Sequence, residues 1–323
     1  MRALIITESY LPNLGGVEKH IASILPYLEK AGWQIDILNK KELIKGQAQI
    51  KYLTLLKIWY LIFQKRSLIK KADVIFIHDV FIYYLPFRFL FPKKKTITTF
   101  HGFEKIYPIP RKNIFYKKIA QKLSSQTISI GRYINKYYSL AEKNNYLSYG
   151  GVDLPQAEME IEDKEKNSFL FVGRLEKDTG ISIFLEFLDI LIDKKVNFSV
   201  KFCGRGPLEK ACQKYGQILG EVEVTKYLRK SEVCFAGGYL SILEAMAYKN
   251  FPLAAYNSRL KKDYLLDSPF ANSIASADNT RDLYQNYLKL KKQKNILGKN
   301  YELAKNHSFA KLADLYLKLA KQK

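Results

Sequence analysis

The chain has 323 residues, 47% of them hydrophobic, with 53 Lys and Arg against 31 Asp and Glu for a formal charge of +22. That length supports two domains with separate cores, and the composition excludes a disordered or fibrous chain. No apolar run reaches the roughly 20 residues of a membrane-spanning helix, the most apolar candidate, residues 52–63, being short and carrying Lys57.

Met1-Arg2 leads directly into a strand-like run at 3–7 with no small-residue cleavage site after it, which points to a protein of the cytosol. A polar loop then reaches Gly16, and Val17, Ile21, Ile24, Leu25 and Leu28 share one helical face. Further strands are expected at 34–38, 74–77, 96–100, 127–130 and 146–149, and helices at 53–71 and 81–90. The acidic stretch 155–167 reads as a linker between a first domain at 1–154 and a second at 168–308. There the pattern restarts: strand 169–173, helix 181–193, strand 198–204, helix 208–215, strand 233–236, helix 241–247 and strand 252–256. A last amphipathic helix, 309–319, carries Phe309, Leu312, Tyr316 and Leu319 on one face. Strands alternating with helices in both halves predict an α/β protein of two Rossmann-like domains with parallel sheets.

The charge is uneven. Residues 1–155 hold 25 basic against 10 acidic side chains, net +15, and the remainder is net +7. Nine basic residues fall within 93–122, interleaved with Phe100, Phe103, Tyr107, Phe115 and Tyr116. Bases mixed with aromatics suit an anionic lipid surface or a nucleic acid, while a Lys-rich proteome would equally place them on solvated faces. No RRM, KH or zinc-finger signature accompanies the charge, so no nucleic-acid partner is expected. Cys203, Cys212 and Cys234 form no CxxC pair, and His20, His78, His101 and His307 show no metal-ligand spacing. Reduced structural cysteines and no metal are therefore expected.

Four loops carry candidate chemistry. Gly15-Gly16 opens a helix whose unpaired N–H groups favour an anion, or alternatively makes a turn that needs positive φ. Val172-Gly173-Arg174-Leu175-Glu176-Lys177 ends a strand with two cations at the edge where doubly wound sheets bind ligands. Gly204-Arg205-Gly206-Pro207 and Gly237-Gly238-Tyr239-Leu240-Ser241 are two more strand-to-turn glycine loops in the same domain. Three such loops favour a nucleotide site, in which Arg174 and Lys177 would neutralise a diphosphate. His101-Gly102 follows the strand at 96–100, where a histidine can bond a sugar near neutral pH.

With Gly151-Val152-Asp153 and Leu243-Glu244-Ala245-Met246-Ala247, these motifs in their order resemble glycosyltransferase family 4, the retaining GT-B enzymes. The resemblance spans nearly the whole chain. It implies two Rossmann-like domains facing a central cleft, with residues 309–323 crossing back to the first. It implies that Arg174 contacts the donor diphosphate, Glu244 the nucleotide ribose and His101 the donor sugar near the reacting carbon. Lys177, close to the Thr179 position where the family has a lysine, would substitute for it, and backbone around Gly16 and from Gly238 to Ser241 would complete the site. The donor would be a UDP- or GDP-sugar, no metal or cofactor would be needed, and the leaving phosphate would help deprotonate the acceptor. A lipid-linked or membrane-presented acceptor, reached by peripheral attachment through the basic first domain, is the working expectation. A soluble acceptor, or a non-catalytic sugar-nucleotide-binding protein, are its alternatives. Two positions depart from the family's pattern: Ala236 and Thr179 stand where a glutamate and a lysine are usual.

Overall fold

The computed structural model describes residues 1–11, 15–44, 51–102, 107–155 and 164–322. Contacts divide the chain into unit 1, Met1–Tyr149 with Phe309–Lys323, and unit 2, Gly150–Ser308. The division falls at Tyr149/Gly150 rather than after residue 154. Residues 165–167 of the expected linker already belong to a strand, and 156–163 lie outside the described residues.

Unit 1 is built on strands β1 (Arg2–Thr7), β2 (Gln34–Asn39), β3 (Val74–His78), β4 (Lys95–Phe100), β5 (Gln126–Ile130) and β6 (Asn145–Ser148). They form one parallel sheet in the order β2-β1-β3-β4-β5-β6. Residues 3–6 and the whole of β3 are buried, as expected of strands covered on both faces by crossover helices. The helix Gly16–Lys30 turns His20, Ile21, Ile24 and Leu28 inward. The helix Phe309–Lys321 packs in this unit too, burying Phe309, Leu312, Tyr316 and Leu319, the face set by its spacing.

The single helix expected at 53–71 is two, Lys51–Gln64 and Arg66–Lys71. Lys65 leaves helical geometry at φ −92°, ψ 17°. The break lets Ile69 reach the core, while Leu53, Leu56, Tyr60 and Phe63 are 59%, 58%, 60% and 45% exposed along one face.

Unit 2 contains β7 (Glu165–Val172), β8 (Ser199–Cys203), β9 (Gln217–Gly220), β10 (Ser231–Ala236), β11 (Phe251–Ala255) and β12 (Ala275–Ala277). Its parallel sheet runs β12-β11-β10-β7-β8-β9. Counted from β7, this is the doubly wound order of a dinucleotide-binding domain, with the strand order reversing between β7 and β10. The core is aromatic. Phe184 of the helix Ile181–Asp193 lies 4.2 Å, ring to ring, from Phe235, and stacks on Phe171. Gly180 starts that helix at φ +82°, where a side chain would also crowd the Ala255 backbone, so the glycine is required on both counts.

Candidate active site

Val172, at the end of β7, pairs with Cys203 on one side and Ala236 on the other. The loops beginning at Gly173, Gly204 and Gly237 therefore leave the carboxyl edge of the sheet side by side. Two of them touch through their backbones. A Cβ on Gly204 would overlap the Gly173 carbonyl and one on Gly206 that of Leu175, and Leu175 N–H donates to the Arg205 carbonyl at 2.8 Å. Gly204, read as a ligand-cradling glycine, thus has a packing role in the structure: it seats the loop that presents Arg174.

Arg174 is exposed, and its guanidinium donates to Glu176 and, at 2.7 Å, to Asp178. Lys177 is exposed in the short turn Lys177–Thr179. Thr179, where the resemblance expects lysine, is buried with its hydroxyl on the Glu176 carbonyl at 2.7 Å.

On the other side of the reversal, Gly238 caps the helix Tyr239–Ala247 in an extended conformation. Gly238 N–H donates to Ser241 Oγ at 3.3 Å, and Ser241 Oγ donates to the Gly238 carbonyl at 3.0 Å. Tyr239 N–H donates to the Tyr264 hydroxyl at 2.6 Å, the two rings stacking at 3.9 Å. The Tyr264 oxygen thus takes a donor that a ligand anion would otherwise use. Leu240 is half-buried, and Glu244 is buried on the same helix. Its carboxylate adds to the burial that raises the Cys234 thiol. Burial also pushes Cys203 up to about 12 and Cys212 to about 11, so these free cysteines are poor nucleophiles.

Sequence reasoning passed over Lys261. Its Nζ donates to the Gly237 carbonyl at 2.5 Å and sits 4.1 Å from the Tyr264 ring centre. Burial, opposed by Asp178 and aided by Arg174, brings its pKa down to about 8. One of several lysines in a lysine-rich chain, it had no motif to mark it.

In unit 1, Gly15 caps the first helix at φ −118°. The positive-φ turn considered for Gly15-Gly16 is therefore not what is found at Gly15. A Cβ on Gly15 would strike Glu18, whereas one on Gly16 meets no described atom within 4 Å. Glu18 accepts from Ser9 Oγ.

His101 follows β4 and is half-buried, its N–H donating to both oxygens of Asp79 at 3.2 Å. Its Nε2 lies 2.8 Å from His78 Nδ1, and the His20 ring centre is 4.6 Å away. The Tyr316 hydroxyl joins His20 Nε2 at 3.0 Å to Thr99 Oγ1 at 2.7 Å. Burial takes His20 down to about 3 and lowers His78 and His101 well below the usual range, so all three rings are neutral at pH 7. Three histidines without metal-ligand spacing in the sequence are therefore gathered in space, their candidate ligand atoms within 4.8 Å of one another.

The basic region is only partly a surface feature. Lys117 is buried, bonds Asp79 at 3.0 Å and lies over the Phe100 and Tyr138 rings. Lys94 donates to the Lys70 and Ala72 carbonyls, and Lys95 to that of Gln322. Lys93, Arg111, Lys112, Lys118 and Lys122 are exposed, beside Phe115 and Tyr116 at 60% and 55%. Phe103 and Lys105 lie outside the described residues. Among the described residues no helix is long and apolar enough to cross a membrane.

The two doubly wound units define the GT-B fold, the architecture of a large class of glycosyltransferases. A glycosyltransferase from Rickettsia africae superposes over the whole of both chains at a TM-score of 0.70 with 17% identity. Sucrose-phosphate synthase of Thermosynechococcus elongatus matches over 99% of each chain at 0.75 and 14%. An α-glucosyltransferase solved with UDP and a 13-mer DNA matches over the whole of both chains at 0.67 and 13%. No protein-family profile matches the sequence, and no curated protein does.

Proposed function

We propose that the protein is a glycosyltransferase that moves a sugar from a UDP- or GDP-sugar to a lipid-linked or membrane-presented acceptor with retention of configuration. The observation that carries the reading is the placement of Arg174 and of Gly237-Gly238 on the two sides of the strand-order reversal in unit 2, the point where such sheets bind nucleotides. UDP in a similar structure supports it. As the bond from the anomeric carbon to the diphosphate breaks, charge grows on the leaving oxygen. Arg174, with Lys261 and Lys177 nearby in sequence or space, offsets that charge without a metal. Glu244 binds the ribose, His101 contacts the donor sugar, and the acceptor hydroxyl passes its proton to the departing phosphate as the new bond forms. The backbone near Gly16 is the resemblance's further candidate for a donor contact, and within unit 2 Tyr239 N–H joins the donor site once Tyr264 yields it.

The membrane part rests on unit 1. Its apolar stripe Leu53, Leu56, Tyr60 and Phe63, and the exposed Phe115 and Tyr116 amid Lys112 and Lys118, have the composition of an interfacial surface. The test is turnover of purified protein with a donor panel, with and without anionic vesicles carrying acceptor lipid. Nucleotide release that depends on the lipid supports transfer to a membrane-presented acceptor, and the anomeric coupling in the product's NMR spectrum tests retention; release with soluble acceptors alone removes the membrane part. A second reading, binding of a sugar nucleotide without transfer, draws on Ala236 and on the Tyr264 hydroxyl bonded to Tyr239 N–H. Saturable donor binding with no release under any acceptor would favour it.

A further inference from the structure

The histidine cluster of unit 1, with candidate ligand atoms within 4.8 Å of one another, has the geometry of a metal centre. His20 comes from the first helix, His78 ends β3 and His101 follows β4. Ring centres are separated by 4.6 Å (His20–His101), 5.1 Å (His78–His101) and 5.8 Å (His20–His78). Three imidazoles bound tetrahedrally at about 2.0–2.1 Å from one ion would put their ring centres about 5 Å apart.

We infer that His20, His78 and His101 form a binding site for one divalent transition-metal ion of the zinc type. The facing His78 Nδ1 and His101 Nε2, 2.8 Å apart, supply two ligands and separate by a few tenths of an ångström to admit the ion. His20 supplies the third through Nδ1, because its Nε2 is held by Tyr316 at 3.0 Å. That contact is the outer partner which metal-bound histidines ordinarily have, and Tyr316 is itself anchored on Thr99 at 2.7 Å. Among the described residues His78 Nε2 is buried with no hydrogen-bond partner, so this ring is not held by a complete hydrogen-bond set of its own. The nearby cation, Lys117, is countered by Asp79 at 3.0 Å, and the Asp79 carboxylate lies beside His101. Three imidazoles and no thiolate suit Zn²⁺, Co²⁺, Ni²⁺ or Cu²⁺ over Mg²⁺ or Ca²⁺. Half-exposed His101 leaves a fourth position for water.

The inference shares His101 with the transferase reading, where that residue contacts the donor sugar, and its readout is metal occupancy, which stands whether or not the transferase reading fails. Untagged protein is stripped with chelator, then equilibrated with Co²⁺ and, separately, Zn²⁺. We expect one ion per chain, the visible d–d bands of four-coordinate Co²⁺, and Zn²⁺ X-ray absorption fitted by three imidazole nitrogens at about 2.0–2.1 Å. His20→Gln and His78→Gln each weaken Co²⁺ binding at least about tenfold, with an unchanged circular dichroism spectrum. No stoichiometric uptake by the wild type, or uptake by both variants with wild-type affinity, overturns the site. If a variant fails to fold, the wild-type absorption data decide: fewer than three imidazoles in the shell contradicts the assignment.

Discussion

Arg174 is held in place by Glu176 and Asp178, so in the proposed site a donor diphosphate would have to compete with two carboxylates for one guanidinium. Its planar fork suits a diphosphate in a way an ammonium does not. Arg174→Ala is expected to lower kcat/KM for the donor by about 10²-fold or more, and Arg174→Lys to recover little of it. Steady-state nucleotide release checks both. Lys261 gives a pH signature. Its charged form is disfavoured on folding, since the folded pKa of about 8 lies below the ordinary 10.5. The unfolded chain therefore binds more protons between those values, and this lysine costs stability below pH 8, a cost relieved as pH rises toward 10.5. A bound diphosphate raises the pKa again. Donor binding at pH 8 should take up about half a proton and at pH 6 almost none, as read by calorimetry in buffers of different ionisation heat. Lys261→Met should remove the uptake; equal uptake in that variant would place the titrating group elsewhere. Arg174 was legible because a glycine-ended strand announces it. Lys261 and the histidine trio were not: His20, His78 and His101 are brought together by the strand order β1-β3-β4, which local spacing does not encode.

Elements with long apolar runs declare themselves, and short ones do not. Helix 181–193 was expected at the bounds of Ile181–Asp193, because its buried residues 181, 184, 187, 188 and 191 follow the helical period. Phe184→Ala removes the ring between Phe171 and Phe235 and should cost about 3–5 kcal/mol in urea unfolding. The edge strands Gln217–Gly220 and Ala275–Ala277, four and three residues long, passed unread because they are too short to show alternation. The helices Arg111–Leu123 and Thr280–Lys292 passed unread too, their apolar positions diluted by lysines. The helix Lys51–Gln64 presents the opposite case. Its sequence is apolar all round, and only the structure separates the buried Ile58 and Ile62 from the exposed stripe. Leu56→Glu combined with Tyr60→Glu should weaken sedimentation with anionic vesicles at least about fivefold and leave the melting temperature within a few degrees. Undiminished sedimentation would assign that stripe to something other than lipid. Lys93, Lys112 and Lys118 are the charges to reverse alongside it, since Lys94, Lys95 and Lys117 are engaged inside the unit.

At the scale of the molecule, two doubly wound units were legible from alternating strand and helix patterns, and the excess of charge in the first half from simple counting. The path of the chain's last segment was expected only from the resemblance, which has residues 309–323 crossing back to the first domain; its amphipathic face alone names no partner, and helix Phe309–Lys321 lies in unit 1. The glycine loops show where motif reading succeeds and stops. It located the carboxyl edge of unit 2, but it could not tell that Gly204 supports a neighbouring loop, or that Tyr264 bonds the helix N–H assigned to a ligand. A fold shared with glycosyltransferases at 13–17% identity leaves chemistry to be tested at the site. The most direct test incubates purified protein with UDP-, GDP- and ADP-sugars and follows thermal shift together with nucleotide release. The account predicts stabilisation by one UDP- or GDP-sugar, slow release of its nucleotide, and loss of both effects in Arg174→Ala. An unshifted melting curve with every donor would contradict it.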